Sequence, residues 1–324
     1  MTHDAPPETM TSAMSKRISL TLLILVSALG LTAAAQEPLR VKVNLVNVAF
    51  IARDTTGAFV GDLTKDDVEI FEDAVPQRIA HFTQASDVPL TLGILIDASG
   101  SQDHFTKQHQ HDLKVFLKEV LRPQDKAFLI CFGNHLRLMS DFTNSPEALL
   151  DGLNDFHKNR EKHPEIGPKE DRELGTAFYD SIYYSVAEKM VGTTGRRALL
   201  LFSDGEDNSS SHDMMTTLEE AQAANTQVYT IRYTEKEHGK LTARNQYGIR
   251  VMDRIAKDTG AQAIDAATTD PRLYFQQIAG ELRYTYELAY YPTDTTRDGT
   301  FRKIVLKPRR AGITLRARTG YISR

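Results

Sequence analysis

The pattern of apolar and polar positions changes character twice along the chain. Over residues 39–83 apolar side chains alternate: Leu39, Val41, Val43 and Leu45, then Val46, Val48, Phe50 and Ala52 in the opposite phase. A period of two marks half-buried strands, and the phase slip marks a bulge or a change of sheet. Residues 54–57 (Asp-Thr-Thr-Gly) are a turn signal, and Val68, Ile70 and residues 77–82 continue the β pattern.

Residues 89–283 alternate between strand and helix patterns. The near-continuous apolar run 90–96 ends at Asp97 and predicts a strand buried on both faces. Leu113, Phe116, Leu117 and Val120 form a helical stripe within 104–121. Further strands are predicted at 128–132, 136–139, 198–202, 228–231 and 261–264. Helices are predicted at 146–156, 177–190, 214–224, 249–257 and 271–284, the last opened by Pro271. Strands alternating with helices imply a doubly wound, mostly parallel sheet.

Residues 285–324 return to the β pattern, with Tyr286, Leu288 and Tyr290 alternating. A β tail of about 40 residues buries too little surface to fold alone, and the N-terminal β segment has the same difficulty. Pairing the two into one small β-sandwich, with the α/β domain inserted between them, resolves both. Two separate β appendages are the alternative. The expected organisation is therefore a leader over 1–35, an N-terminal β segment over 36–86, the α/β domain over 87–283 and a C-terminal β segment over 284–324.

The leader is visible in the first residues. Lys16 and Arg17 precede an apolar run of about 14 residues, followed by Thr32-Ala33-Ala34-Ala35. That is the pattern of a secretory signal peptide cut after Ala35. The run is short for the roughly 20 residues of a spanning helix, so no membrane span is expected in the mature chain. Met14 is a second candidate start. A secreted or cell-envelope location follows, periplasmic or extracellular.

Composition narrows the function. Lys plus Arg number 39 against 43 Asp plus Glu, a net of −4, so there is no basic excess for nucleic acid. The single cysteine, Cys131, excludes an intrachain disulfide and a four-cysteine zinc site, and its apolar run 127–132 predicts a buried strand position. There is no tryptophan to stack on sugars.

The candidate chemistry gathers at strand ends. Asp97-Ala98-Ser99-Gly100-Ser101 puts one carboxylate and two hydroxyls on a tight turn after the first strand of the sheet. Ligands bind at such carboxyl ends, and oxygen donors suit a hard divalent cation. Strand 198–202 ends in Ser203-Asp204-Gly205, and Thr176 precedes a helix. Taken singly, Ser99 or Asp204 reads as a helix cap; together they read as a metal site.

At these residues the chain resembles the von Willebrand factor type A (VWFA) domain over about residues 89–283. That family's metal-ion-dependent adhesion site is Asp-x-Ser-x-Ser, a later threonine and a later aspartate; the matches are Asp97, Ser99, Ser101, Thr176 and Asp204. The segment 66–73 (Asp-Asp-Val-Glu-Ile-Phe-Glu-Asp) and Arg318-Thr-Gly-Tyr321 resemble the flanks of bacterial secreted VWFA-related proteins. The resemblance implies Mg²⁺, Mn²⁺ or Ca²⁺ held by those five residues and a protein partner whose exposed carboxylate completes the ion's shell. It implies a non-enzymatic adhesion-type binding module. Gln102-Asp103 departs from the apolar residue many members carry after the second serine; Asp103 reads as a helix start.

The alternative is a Mg²⁺-dependent hydrolase or phosphatase on the same sheet. Position 99 is serine where an aspartyl phosphatase wants its acid, and neither a phosphate-binding Gly-x-x-x-x-Gly-Lys-Ser/Thr loop nor a Gly-x-Ser-x-Gly elbow is present. His104, His109 and His111 read as a solvated helix face. Residues 157–174, with five basic and five acidic side chains, read as a solvated loop or a partner-contacting rim.

Overall fold

The computed structural model describes residues 45–84, 88–159, 162–168 and 175–324. The leader over 1–35 and residues 160–161 and 169–174 of the charged loop 157–174 lie outside the described residues, as do residues 39–44 of the first alternating run.

The N-terminal β pattern forms β1 (Val46–Asp54), β2 (Val68–Glu72), β3 (Val75–Gln77) and β4 (Ile79–Gln84). The α/β region contributes β5 (Leu90–Asp97), β6 (Lys126–Phe132), β7 (Leu136–Thr143), β8 (Arg196–Ser203), β9 (Thr226–Arg232) and β10 (Ala263–Asp265). Its helices are α1 (Thr106–Val120), α2 (Pro146–Asn159), α3 (Phe178–Tyr184), α4 (Met214–Ala223), α5 (Ala243–Asp258) and α6 (Pro271–Arg283). The tail adds β11 (Tyr286–Tyr290), β12 (Phe301–Pro308), β13 (Ile313–Ala317) and β14 (Gly320–Ile322).

A central six-stranded sheet runs in the order β10-β9-β8-β5-β6-β7, parallel except for β7. Three residues separate β6 from β7, too few for a crossover, so the pair closes as an antiparallel edge. Every residue of β5 is buried, because helices cover both faces. Leu92, Ile94 and Ile96 pack with α1, α2 and α6; Leu95, Leu199 and Leu201 pack with α3, α4 and α5. This is the doubly wound, mostly parallel sheet expected from the alternation. Cys131 is a buried residue of β6, and its burial pushes the thiol well above its ordinary pKa.

The β segments from the two ends of the chain interleave. β1 pairs with β11 and β13, and β11 with β4, all antiparallel. β2 pairs with β12 and β3, and β12 with β14. The two resulting four-stranded sheets share one apolar cluster, in which Val48, Phe50, Ile70, Tyr286, Leu288 and Ile304 are buried. The small β-sandwich is thus built from both ends, and β1 takes its buried face from Val46, Val48, Phe50 and Ala52.

Local chemistry altered three of these expectations. Helix α5 starts ahead of the predicted 249, because Thr242 accepts the amide of Asn245 and Asn245 answers in a capping box. Its first turn is polar and carries no apolar stripe. The predicted helix 177–190 is α-helical only to Tyr184 and widens into a π turn over Ser185–Met190. There Ser181 and Ser185 hydroxyls donate back to the Phe178 and Ser181 carbonyls at 2.7 and 2.6 Å. Finally, His109 is not solvated. It lies on the buried stripe of α1, one turn before Leu113, while His104 and His111 are exposed.

The described residues, all within 45–324, pack as one unit. Glu281 of α6 is fully buried and is gripped by Arg53 of β1 at 3.0 Å and by Arg316 of β13. Arg318 donates to the Asn47 carbonyl at 2.8 Å and to that of Gln222. Removing one partner of a buried ion pair strands the other's charge. Glu281→Ala is expected to lower stability by about 3 kcal/mol, somewhat relieved because both arginines are partly exposed. The check is a urea midpoint that falls with an unchanged slope.

Candidate metal centre

The site starts from two adjacent parallel strands. β5 and β8 pair with Ile96 opposite Phe202, so their carboxyl ends deliver Asp97 and the Ser203-Asp204 pair side by side. Asp97 is 1% and Asp204 3% exposed. A chain of hydroxyls connects their carboxylates. The Ser99 amide and hydroxyl donate to Asp97 Oδ1 at 3.0 and 2.6 Å. The Ser99 and Ser101 hydroxyls are 3.2 Å apart, and Ser101 donates to Asp204 Oδ2 at 2.7 Å. Ser203 donates to Asp97 Oδ2 at 2.5 Å while accepting the Gly205 amide at 3.0 Å.

Ser99 is the N-cap of a 3₁₀ turn over Gly100–Phe105, yet its side chain makes no capping bond. The hydroxyl goes to Asp97 instead, so simple capping does not explain the serine. Asp103 is an exposed residue of that turn, as expected of a helix start.

The electrostatics are unfavourable for two bare charges. Burial pushes the Asp97 carboxyl up to about 7, and the neighbouring Asp204 pushes the same way; hydrogen bonds from Ser203 and Ser99 oppose but do not cancel them. Glu206 is also raised, first by burial and then by Asp204, with Arg244 opposing. Arg244 lies 2.6 Å from its carboxylate.

Thr176 belongs to a loop clamped from both sides. The next amide, Ala177, donates to the Gly133 carbonyl at 2.7 Å. Gly133 follows β6, and a Cβ added there would lie 3.6 Å from the Ala98 carbonyl. On the other side Asn208 Oδ1 accepts the Thr176 amide at 2.6 Å, and the Asn208 and Ser209 amides return to the Thr176 carbonyl. Gly175 has φ +133°, and a Cβ there would meet Asn208 Oδ1 at 2.7 Å. The same loop supplies Asp207, which accepts the Phe178 amide at 2.9 Å at the start of α3. Buried Asp180 accepts the Ser211 and His212 amides and the His212 ring nitrogen at 2.9, 3.0 and 2.7 Å.

All five predicted residues therefore stand on three neighbouring loops, two at strand ends and one leading into α3; Asp97 with Ser99 and Ser101 with Asp204 form two hydrogen-bonded pairs whose hydroxyls lie 3.2 Å apart. Sequence reasoning missed Ser203, Gln102, Asp207, Asn208 and Asp180. Ser203 was legible as the residue beside Asp204; the others act across long sequence separations that no local pattern reports. The donors are all oxygens, two carboxylates and neutral hydroxyls, the kind a hard divalent cation takes. Among the described residues no group of three or more His, Cys, Asp and Glu side chains is arranged to hold a metal.

No protein-family model matches the chain, and no curated protein matches it. Among solved structures it is similar to an aerotolerance-related membrane protein from Bacteroides fragilis NCTC 9343 with multiple mutations to serines. The identity is 15% and the TM-score 0.45, over 60% of this chain and 98% of that one. It is similar to a von Willebrand factor type A protein from Catenulispora acidiphila at 12% identity and TM-score 0.46, over 85% and 73%. It is also similar to proximal thread matrix protein 1 from the mussel byssus, with a zinc-occupied MIDAS motif, at 11% identity and TM-score 0.46, over 65% and 50%. The six-stranded, mostly parallel sheet with helices on both faces is the fold expected from the VWFA resemblance.

The raised Asp97 carboxyl makes stability depend on pH. Its folded pKa of about 7 exceeds its ordinary 3.8, so between those values the folded chain holds a proton that the unfolded chain has released. Its stabilising contribution is full below pH 3.8 and is lost as pH rises through about 7. In chelator, the melting temperature of wild type is expected to fall relative to Asp97→Asn between pH 5 and pH 8. Parallel curves for the two proteins would contradict the raised carboxyl.

Proposed function

We propose that this protein is a divalent-metal-dependent protein-binding module, acting in the cell envelope or outside the cell, with no catalytic activity of its own. The metal would be held by Asp97, Ser99, Ser101, Thr176 and Asp204. One observation carries the proposal. A fully buried carboxylate, pushed up to about 7, faces a second carboxylate through a chain of hydroxyls at the sheet's carboxyl end. A cation removes the like-charge cost that the fold otherwise bears, and it prefers this donor set.

Each residue has a distinct part. Asp97 and Asp204 supply negative charge; Ser203 and the Ser99 amide fix the Asp97 carboxylate from both of its oxygens. Ser99 and Ser101 present neutral oxygens and now spend their protons on the carboxylates. Thr176, on the loop clamped by Asn208, offers the third hydroxyl. When bound, the ion would supply a Lewis-acidic centre to which an acidic side chain of a partner protein could bind. The Lys16–Ala35 pattern is what supports an envelope or extracellular location. Among the described residues no helix is long and apolar enough to cross a membrane.

Thermal unfolding with Mg²⁺, Mn²⁺ or Ca²⁺ against chelator tests the ion. At a hundredfold excess over Kd the wild type should gain about 2.7 kcal/mol. Asp97→Ala should lose the whole metal-dependent gain yet stay folded, because the repulsion leaves with the ligand. Thr176→Ala should keep part of it, because water can replace one neutral donor. An equal gain in Asp97→Ala and wild type would remove the ion from this place. Capture of a binding partner by the wild type, abolished by chelator and by Asp97→Ala, tests the module.

A further inference from the structure

Beneath the strand end, between the candidate metal centre and α1, is a cavity of about 10 Å³ lined by Asp97, Gln102, Thr106, His109 and Cys131, among others. That is the room one water molecule needs. Two of its lining side chains are buried and unsatisfied. Gln102 is 2% and His109 1% exposed. Gln102 Oε1 and His109 Nε2 have no hydrogen-bond partner among the described residues.

Both groups are fixed in place. The Gln102 amide nitrogen donates to Asp204 Oδ2 at 2.9 Å and to the Tyr233 carbonyl at 3.1 Å. Its two protons are spent, and Oε1, which only accepts, is turned away from Asp204. The His109 ring meets Tyr233 edge-on at 4.4 Å and lies against Phe202 and Phe105. Burial holds this imidazole far below its ordinary pKa, at about 3, so the ring is neutral. A neutral ring presents either a lone pair or an N–H at Nε2, and a water can answer either while donating to Gln102 Oε1.

We propose that this cavity is a built site for one structural water, bridging His109 Nε2 and Gln102 Oε1. Through it, His109 acts as a positioning residue for the Asp204 carboxylate. The water fixes which way the Gln102 amide points, and the amide fixes Asp204 Oδ2. A flipped amide would put Oε1 against the carboxylate and release it from its donor. Histidine at 109 is then explained by what it does for Gln102, on a helix stripe otherwise dominated by leucine, phenylalanine and valine.

The positioning half of this inference rests on the metal reading above; the water does not. A crystal structure of the protein at a resolution that shows ordered waters should have one within hydrogen-bond distance of both Gln102 Oε1 and His109 Nε2. A dry cavity, or direct contact between the two groups, overturns the proposal. Titration of Mg²⁺ into wild type and His109→Phe then reads the positioning. Kd should rise about tenfold, as for other outer-shell partners of metal ligands. His109→Gln, which keeps a polar end, should recover most of that loss, and His111→Phe on the exposed face should match wild type. A His109→Phe protein with a lowered melting temperature but wild-type Kd would reduce His109 to packing and overturn its positioning role. A wild type that takes up no Mg²⁺ overturns the metal reading and the positioning with it, while the crystal density still decides the water.

Discussion

The structure turns on two carboxylates that parallel pairing forces together. Register aligns Ile96 with Phe202; β5 ends one residue later at Asp97, and β8 ends at Ser203 with Asp204 next. Burial and the second charge push Asp97 up, and the hydrogen bonds from Ser203 and Ser99 do not restore it. Asparagine would remove the charge, but it has one acceptor oxygen where Asp97 accepts through both of its own. Keeping two acids here is a standing cost, and the surrounding sheet absorbs it. Ile94, Ile96, Leu95, Leu200 and Phe202 are buried immediately beneath, and burying such side chains contributes about 1.5–3 kcal/mol each. The strained pair is affordable only because it caps a core of that size.

The sandwich supports the other side of the same design. α6 ends where β11 begins, and its buried Glu281 ties to β1 and β13 through Arg53 and Arg316. Arg196, which opens β8, donates to the carbonyls of Leu282 and Thr285 in the same connection. These contacts lie at the amino ends of the strands, while Asp97 and Asp204 lie at the carboxyl ends. The sandwich can therefore brace the sheet without covering the strand-end loops.

Much of this was legible because periodicity is local. The strands 90–96 and 198–202 and the stripe on α1 follow from side-chain spacing alone, as does the buried Cys131. The interleaving of β1 with β11 and β13 followed from a different argument, that neither terminal β segment could bury enough alone. What escaped was set by contacts distant in sequence. Asn208 reaches Thr176 and Asp207 reaches Phe178 across about 30 residues, and Asn or Asp in a loop looks the same whether or not it has a partner. His109 was misread for another reason. Polar type outweighed position, although its spacing from Leu113 and Phe116 continues the buried stripe.

The long-range contacts also decide how the candidate ligands move relative to each other. Asp204 and Thr176 come from segments 28 residues apart in sequence, yet one loop governs both. That loop leaves β8 with Asp204 and holds the Thr176 backbone through Asn208. It then anchors the start of α3 through Asp207 and returns to buried Asp180 through the Ser211 and His212 amides. Gly205, at φ +79° with the Gly248 carbonyl 2.5 Å from where a Cβ would be, presses the loop's start onto α5. Asp204 and the Thr176 backbone are thus held by one loop rather than ligand by ligand. Asp97 is tied to the start of the same loop, because Ser203, the residue before Asp204, donates to Asp97 Oδ2 while accepting the Gly205 amide. Ser99 and Ser101, each bonded to one carboxylate, lie between the two acids on the other side. A cation drawn between the two carboxylates would therefore meet an oxygen set already held together from both sides.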